Sequence, residues 1–456
     1  METHAKNYLE NIGQSIKRSV TLKLLSIFVL MMLLMIPVSF VRSLIQERET
    51  LKQETINEVS GKWANEQYVY GPILTIPLEM KVIEDDKIRT VHSQAHILPS
   101  KLMINGSVAP KSLRRGIYEV VVYDSHLSFS GQFEDVSKYL SELKEYEAFP
   151  EDAFLTINIS DLRGIKETVV VKWNDQQKEV EPGSNILQLV SSGITVKNIL
   201  QPAGLNFYDF SFGLQLQGSQ FLGFIPLGKE TSVHLTSDWK DPSFSGSFLP
   251  EDRNVTEDGF IADWQVLELN RNYPQFWIGD SKSQDMQNSS FGVTLLMPAN
   301  DYQKSMRSAK YALLAISLTF LTFFLVEIFN QGRMHPFQYI LIGLALVLFY
   351  TLLVSISEHS SFNFAYLISS VSIISIIGLY ARSILRNTRH TIALVIILGF
   401  TYTFVYITLQ VQDYALLIGS IGLTSILAFT MYITRNINWY ELSSSKESIT
   451  RKTSEL

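Results

Sequence analysis

Two histidines, His92 and His96, stand four residues apart, a spacing that on a helix would set two imidazoles on one face for a metal ion. Their surroundings, residues 89–98, read instead as extended chain, where positions four apart share a face but lie about 13 Å from one another. Metal binding is therefore not expected there. Glu251, Asp252, Glu257 and Asp258 are close in sequence and could in principle attract Ca²⁺. They lack the alternating ligand spacing of a calcium loop and read as a solvated acidic turn. The chain has no cysteine, which removes thiol nucleophiles and disulfides together. Neither a G-x-S-x-G elbow nor a phosphate-cradling glycine loop occurs. No catalytic residue, no metal ligand and no cofactor site is expected, and the chain is expected not to be an enzyme.

The remaining chemically interesting residues border apolar sequence. Glu327 is the one residue among Asp, Glu, Lys, Arg and His that falls within a long apolar stretch, near its end, and is expected to reach Arg333 or His335 just beyond. Glu358 and His359 follow the next stretch and are candidates for a contact between a helix bundle and a domain. Isolated charges at such positions matter because an ionisable group at membrane depth is costly unless partnered.

The elements that must position these residues are six apolar stretches, residues 24–41, 311–330, 337–356, 364–380, 391–409 and 414–433. Each is long enough to cross a hydrocarbon core of about 30 Å as a helix. Their distribution, one then five, leaves a large polar insert between the first and second. Lys and Arg concentrate at Lys6, Lys17, Arg18 and Lys23, at Arg333, at Arg382, Arg386 and Arg389, and at Arg435, Lys446, Arg451 and Lys452. The alternate connections, residues 357–362 and 410–413, carry none. Arg42, Arg48, Lys52, Arg307 and Lys310 flank the insert against this trend, but long translocated domains obey the rule weakly, so both termini are expected in the cytoplasm and the insert outside. The first stretch is longer than a signal-peptide core and is followed by Ser39-Phe40-Val41-Arg42, so an uncleaved anchor is expected.

Within the insert, Leu44, Ile45, Leu51, Ile56, Val59 and Trp63 continue at near-helical spacing as a stalk. From Tyr68 onward the pattern turns to strands: residues 68–77, 117–123, 153–159, 168–173, 207–216, 232–235, 261–269 and 291–297 are short, β-branched or aromatic, and bounded by turn residues. One amphipathic helix is expected through Phe133, Val136, Leu140 and Leu143. The fold class is thus membrane α-helical, six transmembrane helices arranged one plus five, with a large, mainly β exterior domain resembling a sandwich. The expected divisions are a cytoplasmic arm 1–23, a first membrane helix 24–45, a stalk and β-rich domain 46–308, a five-helix bundle 309–434 and a cytoplasmic polar tail 435–456. Small residues, Ser369, Ser370, Ser372 and Ser375 in the fourth stretch and Ala415, Gly419 and Gly422 in the sixth, are expected to let helices approach closely. Trp439 and Tyr440 would anchor the inner interface.

Several motifs carry a family likeness. Pro298-Ala299-Asn300-Asp301-Tyr302 with Arg307, Lys310 and Tyr311, then His335-Pro336-Phe337-Gln338-Tyr339, Gly343, Phe349-Tyr350 and Ser357-Glu358-His359, and the closing Thr434-Arg435-Asn436-Ile437-Asn438-Trp439-Tyr440 form one set. In the insert, Gly71-Pro72-Ile73-Leu74-Thr75-Ile76-Pro77, Arg115-Gly116-Ile117-Tyr118, Asp161-Leu162-Arg163-Gly164-Ile165, Leu235-Thr236-Ser237-Asp238-Trp239, Pro242 through Pro250, and Gly259-Phe260 form another. In this order and spacing the chain resembles the CreD family of inner-membrane proteins from about Leu24 to Tyr440. The N-terminal arm and polar tail depart from the pattern. The resemblance implies a multi-pass protein of the bacterial inner membrane with a periplasmic domain. It also implies a role in envelope integrity, envelope stress responses and tolerance of certain colicins. No catalytic residues carry over from it.

Three functions are compatible with this reading. The preferred one is a non-enzymatic membrane protein whose periplasmic domain binds a protein, lipid or cell-wall partner. The second is a transporter or lipid-handling protein with a regulatory exterior domain, and the third an envelope-side hydrolase. Scarce charge inside the spans argues against ion coupling, and the lack of a nucleophile motif argues against hydrolysis. Membrane lipids are expected partners. A slightly acidic charge balance gives no reason to expect nucleic acid.

Overall fold

The computed structural model describes residues 20–84, 87–186, 192–200, 207–279, 281–295, 301–329, 334–411 and 414–435. The basic residues Lys6, Lys17, Arg18, Arg333, Lys446, Arg451 and Lys452, and the proposed anchor Trp439-Tyr440, lie outside them. The chain divides into two compact units, one of residues 1–51 with 300–456 and the other of residues 52–299.

A helix of 44 residues, α1 (Val20–Trp63), opens the described chain and runs through the expected stalk. Its apolar part is rich in Leu and Met and free of glycine, and Pro37 lies inside it. Eighteen strands follow among the described residues, in two sheets. The first is organised around β1 (Gln67–Glu84), which pairs antiparallel with β2 (Lys87–Ile97) and β6 (Phe154–Ile159) and parallel with β12 (Phe221–Phe224). The second centres on β3 (Lys101–Arg115), antiparallel to β4 (Tyr118–Glu134) and parallel to β13 (Glu230–Ser237). Beyond β4 lies β11 (Phe207–Ser219), and beyond β13 lies β16 (Gly259–Leu267).

One apolar core joins the sheets. Phe129 of β4 stacks on Phe212 of β11 at 4.7 Å between ring centroids and meets Phe224 of β12, in the other sheet, at 6.5 Å. Trp264 of β16 reaches Phe291 of β18 (Phe291–Leu295), again across sheets, at 5.8 Å. These contacts make the unit a sandwich, because each sheet buries one face against the other.

Two details of the sequence reading change. Phe133 belongs to β4, and the helix α2 is confined to Val136–Glu142, so the apolar spacing from Phe133 crossed a boundary between elements. The long strand β3 was not expected, because Gly106 and Pro110 interrupt its pattern as turn residues would. Both fit for physical reasons. A Cβ on Gly106 would lie 2.6 Å from Leu235 and 2.7 Å from Leu127, so only glycine leaves room. Pairing with β13 ends at Val108, so Pro110, without an amide N–H, sits where one edge of β3 has no such partner.

In the helical unit, α4 (Asp301–Lys310) precedes α5 (Ala312–Phe329), α6 (Pro336–Ser357), α7 (Phe362–Leu385), α8 (Thr388–Gln410) and α9 (Ala415–Thr434). Six helices among the described residues, α1 and α5 to α9, are long and apolar enough to cross a membrane. Ser369 and Ser370 are buried between helices as expected, whereas Ser375 is exposed and Gly419 meets no neighbour.

Candidate functional site

The polar residues flagged at the edges of the apolar stretches collect along one seam, where α1 meets α4, α5 and α6. Ile27, Leu34, Val38, Val41 and Ile45 are the buried apolar residues of α1. Their spacing of seven, four, three and four keeps them on one stripe of a helix. Midway along it, Leu34 enters a notch at Gly343 of α6. A Cβ there would lie 2.2 Å from Leu34 Cδ1 and 3.1 Å from Phe320 of α5. The seam is therefore built by a knob meeting a missing side chain, the way helices approach closely where lipid removes any hydrophobic drive to associate.

One end of the seam is closed by Glu327, which is 6% exposed. Its carboxylate pairs with Lys23 of α1 and accepts from the Met334 backbone N–H at 2.8 Å and from the Tyr339 hydroxyl at 3.1 Å. A carboxylate this buried would be strongly destabilising alone; three donors from three places in the chain compensate its desolvation. Phe320 and Phe323 pack edge-on to the Tyr339 ring at 5.4 and 6.4 Å and hold its hydroxyl in place.

The other end uses Arg42 and Arg48 of α1. Arg42 donates to the Ala309 carbonyl from Nε and Nη2 at 3.3 and 3.0 Å, covering the C-terminal end of α4. Arg48 Nε lies 3.5 Å from Glu358 Oε1, which also accepts from the Tyr302 hydroxyl at 3.3 Å. From Lys23 to Arg48 is about 37 Å along a straight helix, so the two polar ends bracket a hydrocarbon core of about 30 Å.

Glu327 thus reaches Lys23, and the expected partner His335 does something else. The His335 Nδ1 accepts from the Phe337 N–H at 3.2 Å and its own N–H donates to Gln338 Oε1 at 2.9 Å, a reciprocal cap that starts α6. Arg333 lies outside the described residues. Glu358 finds its partners, Arg48 and Tyr302, within its own unit. His359 is exposed in the turn after α6. Sequence reasoning missed Lys23, Arg42, Arg48, Tyr302 and Tyr339 as members of this seam. The available signal was the three basic residues flanking the first apolar stretch, Lys23 counting toward orientation and Arg42 and Arg48 against it.

In the β-rich unit the flagged groups separate. His92 faces Glu79 at 3.3 Å on the exposed part of β2, whereas His96 is fully buried, its Nδ1 3.0 Å from Thr75 Oγ1 and its ring against Trp277 at 5.2 Å. Burial pulls the His96 pKa down to about 4. Glu251 precedes β15 (Asp252–Thr256), Asp252 begins it, and Glu257 and Asp258 follow it, so the strand sets Asp252 and Glu257 about 17 Å apart. The Asp161-Leu162-Arg163-Gly164 motif proves structural. Asp161 accepts from the Asn65 N–H at 3.0 Å and pairs with Arg163 at 2.6 Å, while Arg163 also bonds the Gly61 carbonyl. Gln67, buried beside them, donates to the carbonyls of Asp161 and Gln217 at 2.9 Å each. A Cβ on Gly164 would strike the Gln217 carbonyl at 2.3 Å. The motif fastens the loop after β6 to the end of α1 and the start of β1.

A family model described as Inner membrane protein CreD matches residues 19–440, which takes in the whole seam. The chain belongs to the CreD family. It is 33% identical over 435 residues to the Inner membrane protein CreD of Escherichia coli (strain K12), covering 93% of this chain and 94% of that protein. This CreD family member is accordingly a multi-pass inner-membrane protein with six apolar helices and a large β-rich domain of two sheets.

Proposed function

We propose that this CreD family protein is a non-enzymatic component of the inner membrane that supports envelope integrity and tolerance of envelope stress. In this reading both termini are cytoplasmic, and the β-rich domain stands in the periplasm, where it binds a protein, lipid or wall partner. The observation that carries the reading is the use made of the ionisable groups bordering the spans. Glu327 and Glu358, the carboxylates a transport pathway would draw on, are each engaged in joining α1 to the other helices. They serve anchoring. The orientation is supported by Arg382, Arg386 and Arg389 at one end of α7 and α8, against no Lys or Arg in residues 357–362 at the other end of α7.

Cross-linking in native membranes, followed by mass spectrometry of peptides joined to the β-rich domain, tests the function. A reproducible envelope protein, lipid or wall fragment is expected; failure to recover any would overturn the partner-binding role. Because the chain lacks cysteine, single substitutions test orientation cleanly. In spheroplasts, Leu269→Cys should react with a membrane-impermeant maleimide and Arg389→Cys only after lysis. The reverse pattern would invert the topology.

A further inference from the structure

A cavity of about 730 Å³ lies within the helical unit between α5, α8 and α9, away from the α1 seam. Leu318 and Phe329 of α5, Phe400 and Phe404 of α8, and Ser425 and Ile433 of α9 mark its extent. From Leu318 to Phe329 it runs about 16 Å along the helix direction. The lining is almost wholly apolar and elongated, the shape and chemistry of an acyl chain. The apolar window of α9 has none of its residues buried, so this helix leaves the groove open along its side.

Beyond one end of the groove, about 10 Å along α8 from its lining, the chain is basic. Arg389 and His390 precede the lining residues Ile396 and Ile397 by seven positions each and so continue the same stripe of α8 toward its N-terminus. The His390 Nδ1 is buried and has no hydrogen-bond partner among the described residues. Arg382, Arg386 and Arg435 stand at the same ends of their helices; no Asp or Glu occurs in α7, α8 or α9, and Glu327 of α5, at that end, is already paired with Lys23. Among the described residues these cations have no acidic partner, and their charge matches an anion attached to an apolar tail.

We propose that this groove holds an acyl chain of an anionic glycerophospholipid from the bilayer, with its phosphate at Arg389 and His390. Basic pockets between membrane helices recognise anionic head groups in this manner. The inference stands apart from the envelope role, since lipid occupancy is read on the purified protein whatever the β-rich domain binds.

The test places the full chain in phosphatidylcholine nanodiscs containing a minor fraction of phosphatidylglycerol with a diazirine in its tail, with an equally labelled phosphatidylcholine as reference. Photolysis and peptide mapping should label the facing residues of α5, α8 and α9. Ser425→Phe, which fills the groove, should reduce that labelling about tenfold, and Leu427→Phe, on another face of α9, should leave it unchanged. Should phenylalanine prevent folding, Ser425→Val makes the same test with a smaller intrusion. Arg389→Gln should lower the preference for phosphatidylglycerol over phosphatidylcholine about fivefold while groove labelling persists. Equal labelling by the two lipids, labelling indifferent to Ser425, or efficient disulfide-linked dimers of Ser425→Cys would each overturn the proposal, the last because a helix and not a lipid would occupy the site.

Discussion

In the β-rich unit the buried His96 meets a hydroxyl and an aromatic ring, those of Thr75 and Trp277, and burial disfavours its charged form. In the helical unit the buried Glu327 meets a cation, an amide and a phenol drawn from α1, the chain before α6, and α6 itself. Apolar packing differs in the same sense. The sandwich is filled by large aromatic side chains from both sheets, whereas α1 docks by a leucine entering the space above a glycine. The difference follows from the solvent outside each unit. Water drives apolar surface together without further instruction, but lipid gives helices no such reason to associate, so close packing and polar contacts must hold them.

Truncating an apolar side chain should therefore cost most in the sandwich. Phe129→Ala is expected to destabilise the β-rich unit by about 3–5 kcal/mol, measured as a fall in the denaturation midpoint followed by near-ultraviolet circular dichroism. Removing a charge should cost most in the helical unit. Lys23→Ala, which leaves Glu327 without its cation, should destabilise the α1 seam by about 3 kcal/mol, read as a lower melting temperature in detergent. An unchanged melt would break the contrast.

Acidification separates the units next. The unfolded chain protonates His96 near its ordinary value of 6.5, and the folded chain only near 4. Between those values the unfolded state holds more protons, so the contribution is complete above about pH 6.5 and lost as pH falls toward 4, amounting to about 3 kcal/mol. Melts of the β-rich unit across that range should follow this slope, and His96→Gln should flatten it.

Gly343→Leu should then loosen α1 by about 1–3 kcal/mol through overpacking against Leu34 and Phe320, visible as faster proteolysis of α1 with the sandwich melt unchanged. The smallest effect is expected at the more open end of the seam. Arg48 is 39% exposed, so Arg48→Ala should cost only about 0.5–1 kcal/mol. A loss equal to that of Lys23→Ala would show that the two ends of the seam are equivalent after all.

Much of this architecture is legible in residue order. Apolar runs of membrane length announce themselves without tertiary context, and β-branched segments between turn residues mark strands such as β6 and β16. β3 escaped because the residues that permit it, Gly106 against Leu235 and Pro110 past the end of β13, look like breaks until their neighbours are known. The candidate site was half visible. Glu327 and Glu358 stood out as charges in the wrong place, but their partners Lys23 and Arg48 lie hundreds of residues away in sequence and looked like ordinary flanking charges.

Hydropathy and composition alone determined that the chain spans a membrane six times, one helix then five, and carries a β-rich insert, because those properties depend on local runs of residues. Only the tertiary structure decided which helix face meets which. Pairing Leu34 with Gly343 and Lys23 with Glu327 is a choice among many sterically similar alternatives, resolved by close contact and the cost of a buried charge rather than by any pattern along the chain.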